Sequence, residues 1–335
     1  MKKNNTLAYG RNVGFDFIAA LLILYMIFGH VMQWSKLTNT DSYLFCQRIF
    51  FFFMAWFFFK SGIYAKHDVN LKEYVVKNVR QLLLPVLYFT LLGLPYVWYQ
   101  LYVRGDHDVI HYTLSIIKSF IVNGNLSGNL PLWFLITLFE VKILYVLIFK
   151  ILQIKHLEVV MFILFLILAF AFNKADFHKP YYIFSVFTAM TFYVSGAFLA
   201  HRMYSCKYFI PCIFLYIMSI VFFPQMVDLR TSTLVYGNYA FWIFISIAAC
   251  VSWNNLAKLI EAYIPSFAIK IGSESMNYYV THWLVLSYTS LLVRKIVGEA
   301  DGWFYFFTQF AVVIALLPIV SRGLKTKYGK KLLGR

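Results

Sequence analysis

Runs of roughly twenty apolar residues, almost free of charge, recur from one end of this chain to the other. No other feature constrains its fold as strongly. A helix rises about 1.5 Å per residue, so about 20 apolar residues cross the hydrocarbon core of a bilayer. Hydropathy places such runs at 13–33, 44–64, 80–101, 132–152, 157–172, 183–200, 208–224, 235–252, 277–296 and 303–320, the fifth and seventh being the shortest. Composition agrees, since 61% of the 335 residues are apolar and only 13% are charged. A soluble domain carries about 25% charged residues, and a water-soluble fold could not hide this much apolar surface. Lipid offers no partner for a free N–H or C=O, so each crossing must satisfy its own backbone as a helix. The expected fold is therefore all-α, a polytopic bundle of about ten transmembrane helices. With no linker, low-complexity run or internal repeat in view, residues 1–335 read as one membrane domain.

The net charge of +16 fits topology better than nucleic-acid binding. An even number of crossings puts both termini on one side. Sorted by loop, most of the 30 Lys and Arg fall on that side, which the positive-inside rule assigns to the cytoplasm. Residues 1–5 form a short basic head with no small-residue cleavage site after the first apolar run, so that run reads as a span. Cys46, Cys206, Cys212 and Cys250 lack ligand spacing and the histidines are scattered, so no metal site is expected.

Two loops are long. In residues 65–84, on the cytoplasmic side, Lys77 and Arg80 lie three apart on one helix face. That suits an interfacial helix held by anionic lipid, leading into the third span and ended by Pro85. The outer stretch 102–130 is polar, closes in NGNLSGN, and reads as a turn-rich loop.

Ionisable groups inside a membrane are costly, so each is a functional candidate. Asp16 and His30 share the first span. Fourteen residues apart, they lie within about 40° on one helix face and about 21 Å apart along it, too far to touch. In the ninth span Ser275, Tyr279 and His282 form one polar stripe. Such a stripe lines either a cavity or a hydrogen-bonded seam between helices. Glu140, in the fourth span, needs a partner from another helix, because Lys142 is too near in sequence to face it. The motifs G-x-S-x-G, H-E-x-x-H, G-x-G-x-x-G and H-x-x-x-x-D are absent.

Taken in order, these residues resemble the membrane acyltransferase-3 family, in particular its fucose-O-acetylase-like members that modify surface glycans. The opening Arg, Asp and His correspond to Arg11, Asp16 and His30. WFFFKSG ends the second span with Ser61 and Gly62, and a basic segment follows into Arg80-x-x-x-x-Pro85. Leu-Trp-Phe-Leu stands at residues 132–135, with Trp133, and Ser-x-x-x-Tyr-x-x-His at Ser275, Tyr279 and His282. One position departs: many members carry Arg or Lys three residues after the Asp, where this chain has Ala19.

The resemblance implies transfer of an acetyl group from cytoplasmic acetyl-CoA to a hydroxyl of a cell-envelope glycan or lipid-linked sugar, in the inner (plasma) membrane of a bacterium. The donor's phosphates call for a pocket on the basic side, where Arg80, Lys77 and Arg11 are nearest. A sugar hydroxyl needs a general base, and a neutral histidine suits that task. His30 is the expected base, with Asp16, further along the same stripe, holding a basic group. Ser275, Tyr279, His282, Glu140, Trp133 and Ser61 are the expected cavity residues. Two other readings remain: a proton-coupled exporter of a glycan or small acid using Asp16, His30 and Glu140, and a catalytically silent assembly partner.

Overall fold

Eight helical segments in the computed structural model are long and apolar enough to cross a membrane. They are Val13–Trp34, Asp41–Ile63, Leu71–Val103, Leu130–Ile151, Leu157–Lys174, Tyr181–Leu199, Tyr239–Leu259 and Gly302–Gly323. Two more complete the expected series. Cys206–Phe222 is apolar but one turn shorter than most, and Ser275–Val297 is long but carries the polar stripe. In chain order these are the first to tenth spans, close to the runs read by hydropathy. The structure describes residues 12–105, 108–152, 154–200, 202–298 and 301–335.

Contacts between loops sort them onto two sides, as an even number of crossings requires. On the terminal side Asn12, which caps the first span, donates to the Tyr204 hydroxyl at 3.4 Å, and Lys258 lies 4.2 Å from the centre of the Tyr204 ring. On the same side Lys325 donates to Glu274, and Gly334 packs on the backbone carbonyl of Arg80. On the opposite side Lys36 pairs with Asp301 at 3.3 Å, and the Gly302 N–H donates to the Ser35 carbonyl at 3.0 Å. There too the Tyr182 hydroxyl donates to the Ile121 carbonyl at 3.0 Å.

The interior is held by close backbone approach and by polar bonds between helices, the two means available where lipid is as apolar as leucine. The second and sixth spans meet through a reciprocal pair of glycines. A Cβ on Gly62 would lie 1.8 Å from the Tyr193 carbonyl oxygen, and one on Gly196 would lie 2.0 Å from that of Phe59. Gly272, on the short helix Ser266–Ser273, presses equally closely on the Asp16 carbonyl of the first span. Buried polar side chains cross-link the rest. The Trp56 indole donates to Asn254 at 2.9 Å, Thr137 and Ser185 share a hydrogen bond at 2.8 Å, and Asn129 donates to the Val280 carbonyl at 3.0 Å.

The structure departs from the expectations in three places. The helix leading into the third span does not end at Pro85. It continues through a five-residue π-helical turn, Val79–Leu83, in which the Leu84 N–H bonds the Val79 carbonyl. A proline withdraws one N–H and crowds the carbonyl four residues back, and a wider turn relieves both. The outer stretch is not a plain loop, because it folds into the helix Val109–Asn123, which Gly124 closes in the left-handed conformation. Its apolar residues Ile110, Leu114, Ile117 and Ile121 repeat every three or four positions and stay exposed, so the polar flanks masked a helical period. Finally, the segment assigned to the start of the eighth span is a strand. Met226–Asp228 (β1) and Thr233–Tyr236 (β2) pair antiparallel, and the eighth span begins only at Tyr239.

Candidate active site

The first span carries His30 into the wall of a cavity of about 650 Å³. Five other elements close it: the second span, the start of the fourth, the β1–β2 hairpin, the eighth span and the ninth. All its first-span residues, from Tyr25 to Trp34, come from the half remote from the termini. Its ninth-span residues, Tyr279 and Trp283, come from the half of that helix nearer the termini, so the cavity sits near the middle of the membrane. Gly29 beside His30 keeps the wall open, since a Cβ there would meet nothing within 4 Å.

His30 stacks on His282 of the ninth span, ring centres 5.3 Å apart and planes 19° from parallel. Trp283 meets His30 edge-on at 5.2 Å. His282 is almost fully buried, and its Nδ1 lies 2.7 Å from the Tyr279 carbonyl oxygen. A carbonyl only accepts, so Nδ1 carries the proton in the neutral ring and Nε2 keeps its lone pair. That Nε2 has no hydrogen-bond partner among the described residues. Tyr279, one turn earlier, donates its hydroxyl to the Pro131 carbonyl and sets its ring edge-on to Phe134 at 5.5 Å. Three sequence signatures thus converge: the His30 end of the first span, the Leu-Trp-Phe-Leu start of the fourth, and the Tyr279/His282 face of the ninth. Trp133 joins the same wall.

The remaining expected residues lie elsewhere. Asp16 is buried near the other end of the first span, under Gly272, and does not line the cavity. Ser275 opens the ninth span on the terminal side, Ser61 stands near the end of the second there, and neither lines the cavity. Glu140 sits half-buried in the fourth span away from the cavity, and its Oε2 lacks the hydrogen-bond partner expected from another helix, among the described residues. Ala19 is fully buried. Lys60, on the second span, lies 5.1 Å from the centre of the Trp56 ring.

Lys77 and Arg80 line a second cavity, of about 610 Å³, with Lys72, Glu73, Val76, Gln81 and Gly334. It lies on the terminal side and shares no lining residue with the first. Arg11 lies outside the described residues. The arrangement can hold an anion at one face and shelter a histidine beside an aromatic-walled cavity at the other.

Sequence reasoning missed the hairpin. Asp228 and Arg230 both line the His30 cavity, yet neither is among the residues singled out from the sequence. The available signal was the run DLRTS between two apolar spans, two opposite charges two residues apart in an otherwise uncharged stretch.

Residues 12–322 match a family model described as "Acyltransferase domain", that of the acyltransferase-3 family. No curated protein and no solved structure matches the chain.

Proposed function

The chain belongs to the acyltransferase-3 family and is a multi-pass membrane acyltransferase, and from that premise we propose that it moves an acetyl group from cytoplasmic acetyl-CoA to a hydroxyl of a cell-envelope glycan or lipid-linked sugar. One observation carries the reading. His30, stacked on His282, forms part of the wall of a cavity large enough for a sugar.

In the proposed reaction His30 takes the proton from the acceptor hydroxyl. The oxygen attacks the thioester carbonyl, the carbon–sulfur bond breaks, and the thiolate of coenzyme A leaves and is protonated. His282, with its proton fixed on Nδ1 by the Tyr279 carbonyl, keeps His30 in place by stacking. The donor's phosphates would bind at Lys77 and Arg80, with Lys72 a third cation in the same cavity. Arg80 and Lys77 stand on the helical turn that leads into the third span, a rigid mount for a phosphate contact. The carrier reading gains nothing from this geometry, because Asp16 and Glu140 do not share a cavity with His30.

The test uses the purified chain with labelled acetyl-CoA and a glycan extract of the native host. Wild type is expected to transfer label, His30→Ala to lose transfer while still binding donor, and Arg80→Ala to bind donor more weakly. Folded wild-type protein that neither binds the donor nor acetylates the extract would overturn the reading.

A further inference from the structure

The hairpin that closes the His30 cavity is anchored more firmly than a connecting loop requires. At its tip the Ser232 carbonyl accepts from Asn173 at 2.7 Å, and the Ser232 hydroxyl meets that of Thr188 at 2.9 Å. The fifth and sixth spans thus hold it from below. Arg230 rests 5.3 Å from the centre of the Tyr181 ring, and its backbone N–H donates to Asp228 Oδ1 at 3.0 Å. The two side chains themselves stand 3.8 Å apart, longer than a tight charged hydrogen bond. Both keep part of their surface open, and both line the cavity. Their remaining donors and lone pairs are therefore free to take up ligand hydroxyls.

The spans supply aromatic side chains to the same cavity. Trp34, Trp133 and Trp283 line it, and so does Trp242, whose buried indole N–H has no hydrogen-bond partner among the described residues. A buried donor left unpaired is costly, and one lining a cavity is satisfied when an oxygen enters it. Flat apolar rings and a carboxylate–guanidinium pair lining one cavity suit one ligand chemistry well. A pyranose presents C–H faces for stacking and vicinal hydroxyls that both donate and accept.

We propose that Asp228 and Arg230 hold the acceptor as a neutral sugar, entering from the hairpin side and stacking on the tryptophans of the His30 cavity. The proposal rests on the acyltransferase reading for what is then done to the sugar, but the binding it describes does not require transfer. The pair's charges cancel, so it offers an acidic sugar no net attraction to offset the cost of desolvating its carboxylate.

Full-length protein in nanodiscs is titrated, without acetyl-CoA, with maltotriose, triacetylchitotriose and trigalacturonate, and tryptophan fluorescence is followed. Saturable quenching by at least one neutral trisaccharide is expected, with trigalacturonate binding less tightly. Asp228→Asn and Arg230→Gln should each weaken the neutral sugar about tenfold or more, because each removes a charged hydrogen-bond partner. Lys118→Ala, on the outer helix away from the cavity, should not change it. Tighter binding of trigalacturonate, no saturable binding of either neutral probe, or binding at the wild-type level by both hairpin variants would each overturn the proposal. Selective sugar binding by a protein that transfers no acetyl group would support this inference while removing the acetyl-transfer reading.

Discussion

His30 and His282 are 252 residues apart in the chain and stack ring on ring in the fold. Only His30 lines the cavity, whereas His282 is buried behind it with one nitrogen tied to backbone. This division leads to different expected outcomes. His30→Ala should cut acetyl transfer about a hundredfold or more, the usual worth of a general base, and leave the thermal midpoint nearly unchanged. His282→Ala should lower both activity and thermal midpoint, because it removes a buried packing partner and the Nδ1 hydrogen bond. Activity and melting curves measured on the same two preparations separate these roles, and acetyl transfer retained in His30→Ala would remove His30 from the base role. His30, Tyr279 and His282 were legible as candidates because polar groups in an apolar span stand out. Asp228 and Arg230 were not, since a charged pair in an outer loop reads as ordinary solvated surface until the hairpin folds back over the cavity.

Among the elements, glycines separate sites where the backbone must touch from sites where it need not. Gly62 and Gly196 face each other's helices with no room for a Cβ, so Gly62→Ala should destabilise the protein by about 1–3 kcal/mol through overpacking. Gly29→Ala meets no neighbouring atom, and should leave stability equal or slightly raised, by up to about 1 kcal/mol from helix propensity. The two variants can be ranked by thermal unfolding in one detergent. A Gly62→Ala protein as stable as wild type would contradict the close contact between the second and sixth spans. The ten crossings were legible because each depends on local composition and length. The helix Val109–Asn123 was legible in principle, from the spacing of Ile110, Leu114, Ile117 and Ile121, but its polar flanks outweighed that period. The π-helical turn before Pro85 was not, because the same sequence also fits a helix that stops there.

Across the whole molecule, the terminal side is clamped where the ninth and tenth spans begin and end. Glu274 accepts hydrogen bonds from Lys325 and from Ser321, the latter at 2.6 Å. Burial opposes the charge on Glu274, but these bonds and the charges of Lys325 and Lys270 outweigh it and hold the carboxyl below its ordinary value. A carboxyl lowered in the folded state stabilises it above the unfolded value, and that contribution disappears as pH falls through the folded one. Glu274→Gln should therefore cost about 1 kcal/mol at neutral pH, given the half-exposed lysine, and the gap from wild type should close below about pH 4. Thermal midpoints of both proteins across pH 3–8 test this, and a gap that persists at the acid end would contradict it. Sidedness has its own check. In a cysteine-free background, Lys36→Cys and Lys118→Cys should react with an impermeant thiol reagent added outside cells, and Lys72→Cys only after lysis.

The sequence by itself determined that this chain lives in a membrane, crosses it about ten times and carries its excess of positive charge on the side of its termini. Those properties follow from counts of apolar and charged residues along short stretches, and bilayer thickness converts such counts directly into spans. The tertiary structure alone decided which polar residues share a cavity. A helix face turns about 100° per residue, and its position on the helix settles which half of the membrane it reaches, but not which neighbouring helix it meets. Packing through Gly62, Gly196 and Gly272 sets those neighbours. The packing as a whole brings His30 to His282, leaves Asp16 and Glu140 outside the cavity, and places Asp228 and Arg230 of the hairpin in its wall.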